Sequence, residues 1–243
     1  MLRLENVAWN TPDGDPIVRG VDLTIGEGKL VVITGPNGSG KTSLAKLVAG
    51  IMEPTSGKIY FEDEDITNAN ITERAKKGIA YAFQQPVKFK GMTVKDMLEL
   101  AAGEDMPFVN VCGLLGKVGL CAEEYIDREL SGSLSGGESK RIEIATVLAR
   151  NAKLSIFDEP EAGIDLWSFT RLVETFQELN QEKQGTLLVI SHQERILSIA
   201  DEIVVIADGK VKQAGPREEV LPQLLAQPHM ACCPQGKREI GYE

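Results

Sequence analysis

Two glycine loops and one acidic pair carry the chemistry in this sequence. Gly35-Pro36-Asn37-Gly38-Ser39-Gly40-Lys41-Thr42-Ser43 satisfies the pattern G-x-x-x-x-G-K-[ST] in full. Glycines let successive backbone N–H groups converge on a phosphate, and a helix that starts there adds the positive end of its dipole. Lys41 can then reach the β and γ phosphates, and the Thr42 hydroxyl can ligate Mg²⁺. Leu30-Val31-Val32-Ile33 precedes the loop, a continuous apolar run of the kind found in parallel strands buried on both faces. Leu44, Leu47 and Val48 follow it at helical spacing. Strand, loop and helix together predict a nucleoside triphosphate site.

The acidic pair ends a second apolar run, Leu154-Ser155-Ile156-Phe157-Asp158-Glu159. Consecutive strand residues point to opposite faces, so the two carboxylates are expected to do different work. Asp158 suits the Mg²⁺ shell. Glu159 is then free to orient or deprotonate an attacking water. The second glycine loop is Leu134-Ser135-Gly136-Gly137-Glu138, followed by a helical pattern. A hydroxyl, two unhindered backbone donors and a helix start make another anion site. One triphosphate does not need two such loops from one chain. Either the second binds something else, or it completes the site of another copy.

The elements that hold these residues read as an α/β fold. Leu2, Leu4 and Val7 open a strand, Pro12-Asp13-Gly14-Asp15 is turn chemistry, and Ile17 to Ile25 alternates as a half-buried strand does. Leu187 to Ile190 is a further buried-strand run, and Trp167 to Leu179 carries apolar residues at helical spacing. Ile203 to Ile206 and Lys210 to Gln213 flank the hairpin turn Asp208-Gly209. From 90 to 150 the pattern is mostly helical, with Met97, Leu98, Leu100 and Ala101, then Ile142 to Leu148. The organisation predicted is a single unit over 1–243: an α/β core with a β-rich lobe at about 1–85 and 150–225, an inserted helical lobe at about 86–149, and a polar tail from about 226 to 243.

Composition narrows the classes further. At 243 residues the chain is long enough to bury a core without disulfides or structural metal. Lys plus Arg is 26 and Asp plus Glu is 36, a net charge of −10, which argues against a partner bound through its phosphate backbone; no nucleic acid is expected. No apolar run reaches the roughly 20 residues of a membrane helix, and the N-terminus lacks a signal pattern, so a cytoplasmic location is expected. Cys112, Cys121, Cys232 and Cys233 do not fall at zinc-ligand spacing. Cys112 and Cys121 read as small core residues, and the adjacent Cys232 and Cys233 as reducible thiols of the tail.

The order GPNGSGKTS, Phe83-Gln84, LSGGE, LSIFDEP, Gly163-Ile164-Asp165 and Ser191-His192 resembles the ATP-binding-cassette ATPases over essentially the whole chain. The resemblance implies a phosphate-loop NTPase core of that type and a Mg²⁺-dependent ATPase that converts ATP and water to ADP and phosphate. It assigns Gly35 to Ser43 to the triphosphate, Thr42 and Asp158 to Mg²⁺, and Gln84 to sensing Mg²⁺ and water, with Gln85 as the adjacent alternative. It makes Glu159 the catalytic base and His192 a γ-phosphate contact. Ser135, Gly136 and Gly137 would close on the γ-phosphate of a partner copy, with Asp165 crossing the seam of an ATP-dependent homodimer. Trp9 falls where the family places an adenine-stacking aromatic, against the plain alternative of a half-buried strand residue. His229 carries no such argument.

Within that family, two details are similar to the SufC-type ATPases of iron–sulfur cluster assembly. Gln follows Ser191-His192 where transporter cassettes more often have Asp, and Asp158 to Asp165 lacks the Thr-Ser common before the seam. The resemblance implies a SufB- or SufD-like scaffold partner docked on the helical lobe, at roughly 86–131. The alternative is the ATP-binding subunit of a membrane transporter, which meets the membrane only through a separate permease. An ATP-gated DNA-repair clamp is disfavoured by the acidic charge and by the lack of a coiled-coil insertion.

Overall fold

The chain opens with two antiparallel strands, β1 (Leu2–Asn10) and β2 (Pro16–Ile25), paired Leu2 to Ile25 and Trp9 to Val18. A computed structural model describes residues 1–85, 87, 89–130, 134–183 and 185–226. Strand β3 (Leu30–Thr34) is buried along its whole length and feeds helix α1 (Lys41–Ala49), which Gly50 ends in the left-handed conformation. Strands β4 (Ser56–Phe61) and β5 (Glu64–Asp65), helix α2 (Ile71–Lys77) and strand β6 (Ile79–Ala82) follow. The sequence reading had no expectation for these four. Their alternation is short and interrupted by acidic turn residues, whereas the Asn70 and Glu73 capping box that starts α2 was legible. Arg74 of α2 is buried, with no carboxylate partner among the described residues. It donates to Leu47 and Val48 carbonyls at the end of α1 and to those of Thr67 and Ala69. Burial lowers its pKa to about 10.

The middle of the chain is helical, as expected: α3 (Val94–Ala102), α4 (Phe108–Lys117), α5 (Ala122–Tyr125) and α6 (Gly136–Ala149). Then come β7 (Leu154–Asp158), α7 (Leu166–Gln181), β8 (Thr186–Ile190), α8 (Glu194–Ile199), β9 (Glu202–Ala207), β10 (Lys210–Pro216) and α9 (Arg217–Ala226). Asp208 and Gly209 both take positive φ, as a two-residue hairpin turn of the primed type requires.

The strands form two sheets. The smaller runs β2-β1-β4-β5 and the larger β10-β9-β3-β8-β7-β6, in which β9, β3, β8, β7 and β6 are parallel neighbours. Period two explains how one parallel sheet serves two cores. Leu30, Val32, Phe157, Leu187 and Val189 face the helical side with α3, α4, α6 and α7. Val31, Ile33, Leu154, Ile156, Leu188 and Ile190 face α1 and the smaller sheet. Each such fully buried aliphatic side chain stabilises the fold by about 1.5–3 kcal/mol relative to exposure.

Four sequence expectations change. The first 85 residues are not one β-rich piece, because β3 and β6 belong to the large sheet. Trp167 was counted in the apolar stripe of its helix, yet it is 83% exposed; the buried stripe is Phe169, Leu172, Phe176 and Leu179. Leu100 likewise lies off the buried face of α3. Cys112 and Cys121 are exposed and not core residues: Cys112 lies on the solvent face of α4 with Phe108 and Val109, and Cys121 is the N-cap residue before α5. Helix α9 reaches Ala226; His229, Cys232 and Cys233 lie outside the described residues.

Candidate functional site

The first loop is shaped by close backbone approach. A Cβ on Gly35 would stand 1.9 Å from the Ile206 carbonyl oxygen of β9, so no other residue fits there. Helix α1 starts at Lys41 with no side-chain cap and no acid in its first turn. Its leading amides have no intrahelical acceptor and are free for an anion. Lys41 curls back over the loop, its Nζ donating to the Gly35 and Pro36 carbonyls at 2.8 Å each. Burial lowers its pKa, opposed by Glu159 and Asp158. Ser39 Oγ is buried without a hydrogen-bond partner, an orphan polar atom inside a loop suited to phosphate oxygens.

The parallel strands deliver the remaining groups to the same end of the sheet, where open α/β sheets bind ligands. Asp158, the last residue of β7, is fully buried, and burial raises its pKa. Thr42 Oγ1 donates to Asp158 Oδ1 at 3.1 Å, and Tyr81 OH donates to Oδ2 at 2.9 Å. A hydroxyl and a carboxylate make a hard oxygen pair suited to Mg²⁺, whose other positions phosphates and waters fill. Among the described residues no group of three or more His, Cys, Asp or Glu could hold a metal.

Glu159 leaves the strand by a left-handed residue, φ 46°, with its N–H donating to the Ile190 carbonyl of β8 at 3.0 Å. The two acids are therefore separated by a backbone turn and not by strand alternation alone. Gln84 Nε2 donates to Glu159 Oε2 at 2.6 Å. His192, just beyond β8, lies within electrostatic reach of Lys41 and Glu159; partial burial first, then Lys41, lowers its pKa. Lys41, Thr42, Gln84, Asp158, Glu159 and His192 thus form one cluster. Trp9 is half-buried and rests on the core under the small sheet, next to Val18 and one residue from the bulge at Asn10. Gln85 is exposed and makes none of the contacts that tie Gln84 to Glu159.

Ser135, Gly136, Gly137 and Asp165 stand apart from that cluster. Ser135 caps α6, accepting from the Glu138 N–H while Glu138 accepts from the Ser135 N–H. Tyr125 OH donates to Glu138, and this with the Ser135 bonds pulls the Glu138 carboxyl down to about 2. Asp165 caps α7 by accepting from Trp167 N and Ser168 N at 3.0 Å. Gly137 abuts Gly163, whose carbonyl oxygen would lie 2.6 Å from an added Cβ. The second loop and the start of α7 form a single exposed ridge.

Four side chains beyond the sequence reading link these parts. Tyr81 holds Asp158, as above. Lys140, 1% exposed, donates to the carbonyls of Phe83, Gln84 and Asp158 and pairs with Glu143 at 3.5 Å. Glu143 in turn accepts from the Phe83 N–H at 2.9 Å. Glu161 accepts from Ser191 Oγ at 2.6 Å, and burial raises its pKa. A lysine at helical spacing with Ile144 and Val147, inside a buried stripe, was the one available signal for the Lys140 pair.

Residues 18–162 match the family model described as ABC transporter. An uncharacterized ABC transporter ATP-binding protein of Methanocaldococcus jannaschii is 40% identical over 84% of each chain. The chain belongs to the ABC ATPase family. A lipopolysaccharide export ATP-binding protein, LptB, of Acidithiobacillus ferridurans is 34% identical over 84% of this chain and 86% of its own. The spermidine/putrescine import ATP-binding protein PotA of Mesoplasma florum is 34% identical over 90% of this chain, which spans 63% of it. Among solved structures, a dimeric ATP-binding cassette in a post-hydrolysis state with ADP and phosphate superposes with a TM-score of 0.79, at 25% identity over 89% of this chain and 99% of the other. A nucleotide-free cassette of an ABC transporter gives 0.77, at 29% identity over 94% and 96%. This ABC ATPase therefore has the expected cassette fold. The relatives are described as transporter subunits, and those descriptions lend no support to the SufC-type likeness. Among the described residues, no helix is long and apolar enough to cross a membrane.

Proposed function

We propose that this ABC ATPase is the ATP-binding subunit of a transporter, hydrolysing MgATP on the cytoplasmic side while a separate membrane protein forms the pathway. The observation that carries the chemistry is the convergence of Thr42, Tyr81 and Asp158 with Gln84 and Glu159 at the ends of parallel strands. The loop from Gly35 to Ser43 holds the triphosphate. Lys41 leaves its two loop carbonyls for the β and γ phosphates, and Thr42 with Asp158 would hold Mg²⁺, whose charge would offset that of the phosphates. Glu159 accepts the proton of the attacking water, Gln84 fixes that carboxylate, and neutral His192 donates to a γ-phosphate oxygen. Trp9, half-buried on β1, would stack on the adenine. Two copies pair so that Ser135, Gly136, Gly137 and Asp165 of each complete the site of the other; that a similar cassette is dimeric supports the pairing.

The partner surface is the groove between α3, α6 and β6, about 340 Å³, lined by Phe83, Val87, Phe89, Met97, Leu100 and Ile142. Val87, Phe89 and Leu100 are exposed apolar residues at its rim. Phe83 adjoins Gln84 and is held at both ends by Lys140 and Glu143, so a helix seated in the groove acts on the residue that touches the base. An amphipathic helix from the cytoplasmic side of a permease fits this surface. The names of the relatives support this partner class.

A SufB/SufD-like scaffold on the same groove is the second reading. One observation favours it: the two departures from the usual transporter pattern meet in space, since Glu161 is bonded to Ser191 beside His192. Affinity capture of the tagged chain from membranes and from cytosol separates the two. Recovery with a multi-span membrane protein is expected. Recovery only with a soluble protein carrying iron and sulfide overturns the transporter reading and leaves the ATPase chemistry intact.

A further inference from the structure

We infer that the buried pair Lys140 and Glu143 positions the reacting groups, holding Gln84 against Glu159 through the main chain behind both. This rests on the reading of Glu159 as the base and adds two positioning residues to it. Strand β6 ends at Ala82, opposite Phe157, while β7 runs one residue further to Asp158. The peptide groups of Phe83 and the carbonyl of Asp158 therefore lie past the last ladder pair of these strands. Buried backbone groups need other partners there. Two side chains of α6 supply them. Lys140 Nζ donates to the Phe83 carbonyl and, at 3.4 Å each, to those of Gln84 and Asp158. Glu143 Oε1 accepts from the Phe83 N–H at 2.9 Å.

One ammonium thus spans the main chain of Gln84 and the peptide that joins Asp158 to Glu159. Gln84 Nε2 donates to Glu159 Oε2 at 2.6 Å, so both partners of that bond hang from a single fixed point. Phe83 also packs edge-on against Tyr81, ring centroids 5.0 Å apart, and Tyr81 OH holds Asp158. A shift of the Phe83 peptide would therefore reach both acids.

Packing alone does not call for charge here. Lys140 is 1% exposed, with Nζ 3.5 Å from Glu143 Oε2, and it also faces Asp158 and Glu161. Apolar residues of similar volume commonly stabilise a fold as well as a buried ion pair does. Helix α6 already buries Ile142, Ile144 and Val147. What apolar residues cannot do at 140 and 143 is bond to peptide groups. The contacts proposed for the triphosphate, from Lys41 and the start of α1, belong to other elements. Loss of the pair should then fall on turnover and spare nucleotide binding.

Removing one partner strands the other charge, so the test replaces both. In Lys140→Met with Glu143→Leu we expect kcat for ATP to fall about 10–100-fold, the cost of a reacting group displaced by about 1 Å, with KM changed less than about twofold. The melting temperature should match or exceed the parent's. Adding Gln84→Ala should then lower kcat little further, because Gln84 is already out of place. Parental kcat in the pair variant, or a full additional loss on adding Gln84→Ala, overturns this inference. A raised KM with kcat kept assigns the pair to nucleotide binding and overturns it too. Should the double variant melt well below the parent, two single variants decide. Glu143→Gln and Glu143→Leu remove the same charge, but only Gln keeps an acceptor for the Phe83 N–H. We expect kcat to fall about threefold or less in the first and about tenfold or more in the second, the worth of about one hydrogen bond. Equal falls overturn the inference. Glu159→Gln in the parent separates the two readings. Parental turnover there removes the base assignment and this inference with it, whereas an inactive Glu159→Gln beside a fully active pair variant overturns the positioning role alone.

Discussion

The two glycine loops of this ABC ATPase look alike in sequence and are built in opposite ways. Gly35 to Thr42 lies among buried strands, with Lys41 and Asp158 drawn out of water and Ser39 Oγ left without a partner. Ser135 to Gly137 is exposed, and its cap residues satisfy one another through Glu138 and Tyr125. The first loop pays for function with desolvated charge, and a bound triphosphate relieves it. The second is a finished surface that loses little by staying empty. Such a division fits the proposed function, in which one copy binds the nucleotide and two close on it.

That contrast breaks most visibly at Glu159. Replacing it by Gln keeps the hydrogen bond to Gln84 and removes the proton acceptor. Turnover should fall by about 10²–10⁴, the usual worth of a positioned base, with ATP affinity retained. Phosphate release in steady state, alongside calorimetric ATP binding, measures both; wild-type turnover in the variant would take the base assignment from Glu159. Lys41→Ala is the converse. Losing a charge-assisted contact to the phosphates should cost about 1.5–3 kcal/mol of ATP binding, or roughly 10–150-fold in Kd. Unchanged affinity would show that the buried ammonium serves only its own loop.

The first loop was legible because its pattern is local. Gly35, Lys41 and Thr42 are fixed by a strand, a turn and a helix start within a dozen residues, and the period-two burial of β3 follows from its apolar run. Asp158 and Glu159 were legible for the same reason, and the parallel strands bring Asp158 to Thr42 and Glu159 to Gln84. What sequence does not carry is the reach between distant segments. Tyr81 meets Asp158 across 77 positions, and Lys140 reaches back to Phe83 across 57. Neither pair has a spacing to read. Trp167 failed for another reason: periodicity finds apolar residues at helical intervals but not which side of the first turn they leave.

Tyr81 sharpens the comparison at the next scale. Tyr81→Phe keeps the ring contact with Phe83 and removes one of two donors to Asp158. Groups that orient a metal ligand are typically worth 10–100-fold in metal affinity. The Mg²⁺ concentration for half-maximal turnover should rise about tenfold, with ATP affinity in its absence unchanged. An unaltered Mg²⁺ titration would make Tyr81 a packing residue. Asp158 itself should cost the empty protein stability. Burial raises its folded pKa above the ordinary value, so the folded state holds its proton at pH values where the unfolded chain has lost it. Stability from this group therefore falls as pH rises through that window and stays low at pH 7. Asp158→Asn should raise the melting temperature of the nucleotide-free protein by about 2–4 °C, the shift expected for about 1 kcal/mol in a chain of this size. A lower melting temperature would mean that the charged carboxylate is what Thr42 and Tyr81 are built to hold.

The smallest effect belongs to the second loop, where the sign reverses. Glu138 has its pKa pulled down to about 2, chiefly by the Tyr125 hydroxyl and then by the Ser135 bonds. A carboxyl depressed on folding adds stability at pH values above its unfolded pKa, and that stability is lost as pH falls toward 2. Tyr125→Phe removes the leading donor while keeping the ring under Arg128. Melting temperatures of the variant and the parent should therefore differ by a degree or two at pH 7 and converge on acidification below about pH 4. At no pH should ATP binding to the isolated copy change, because among the described residues the hydrogen bonds of the cap do not reach the first loop. A change in monomer affinity would dissolve the division between the two loops, since it would show the second already contributing to its own chain's nucleotide site.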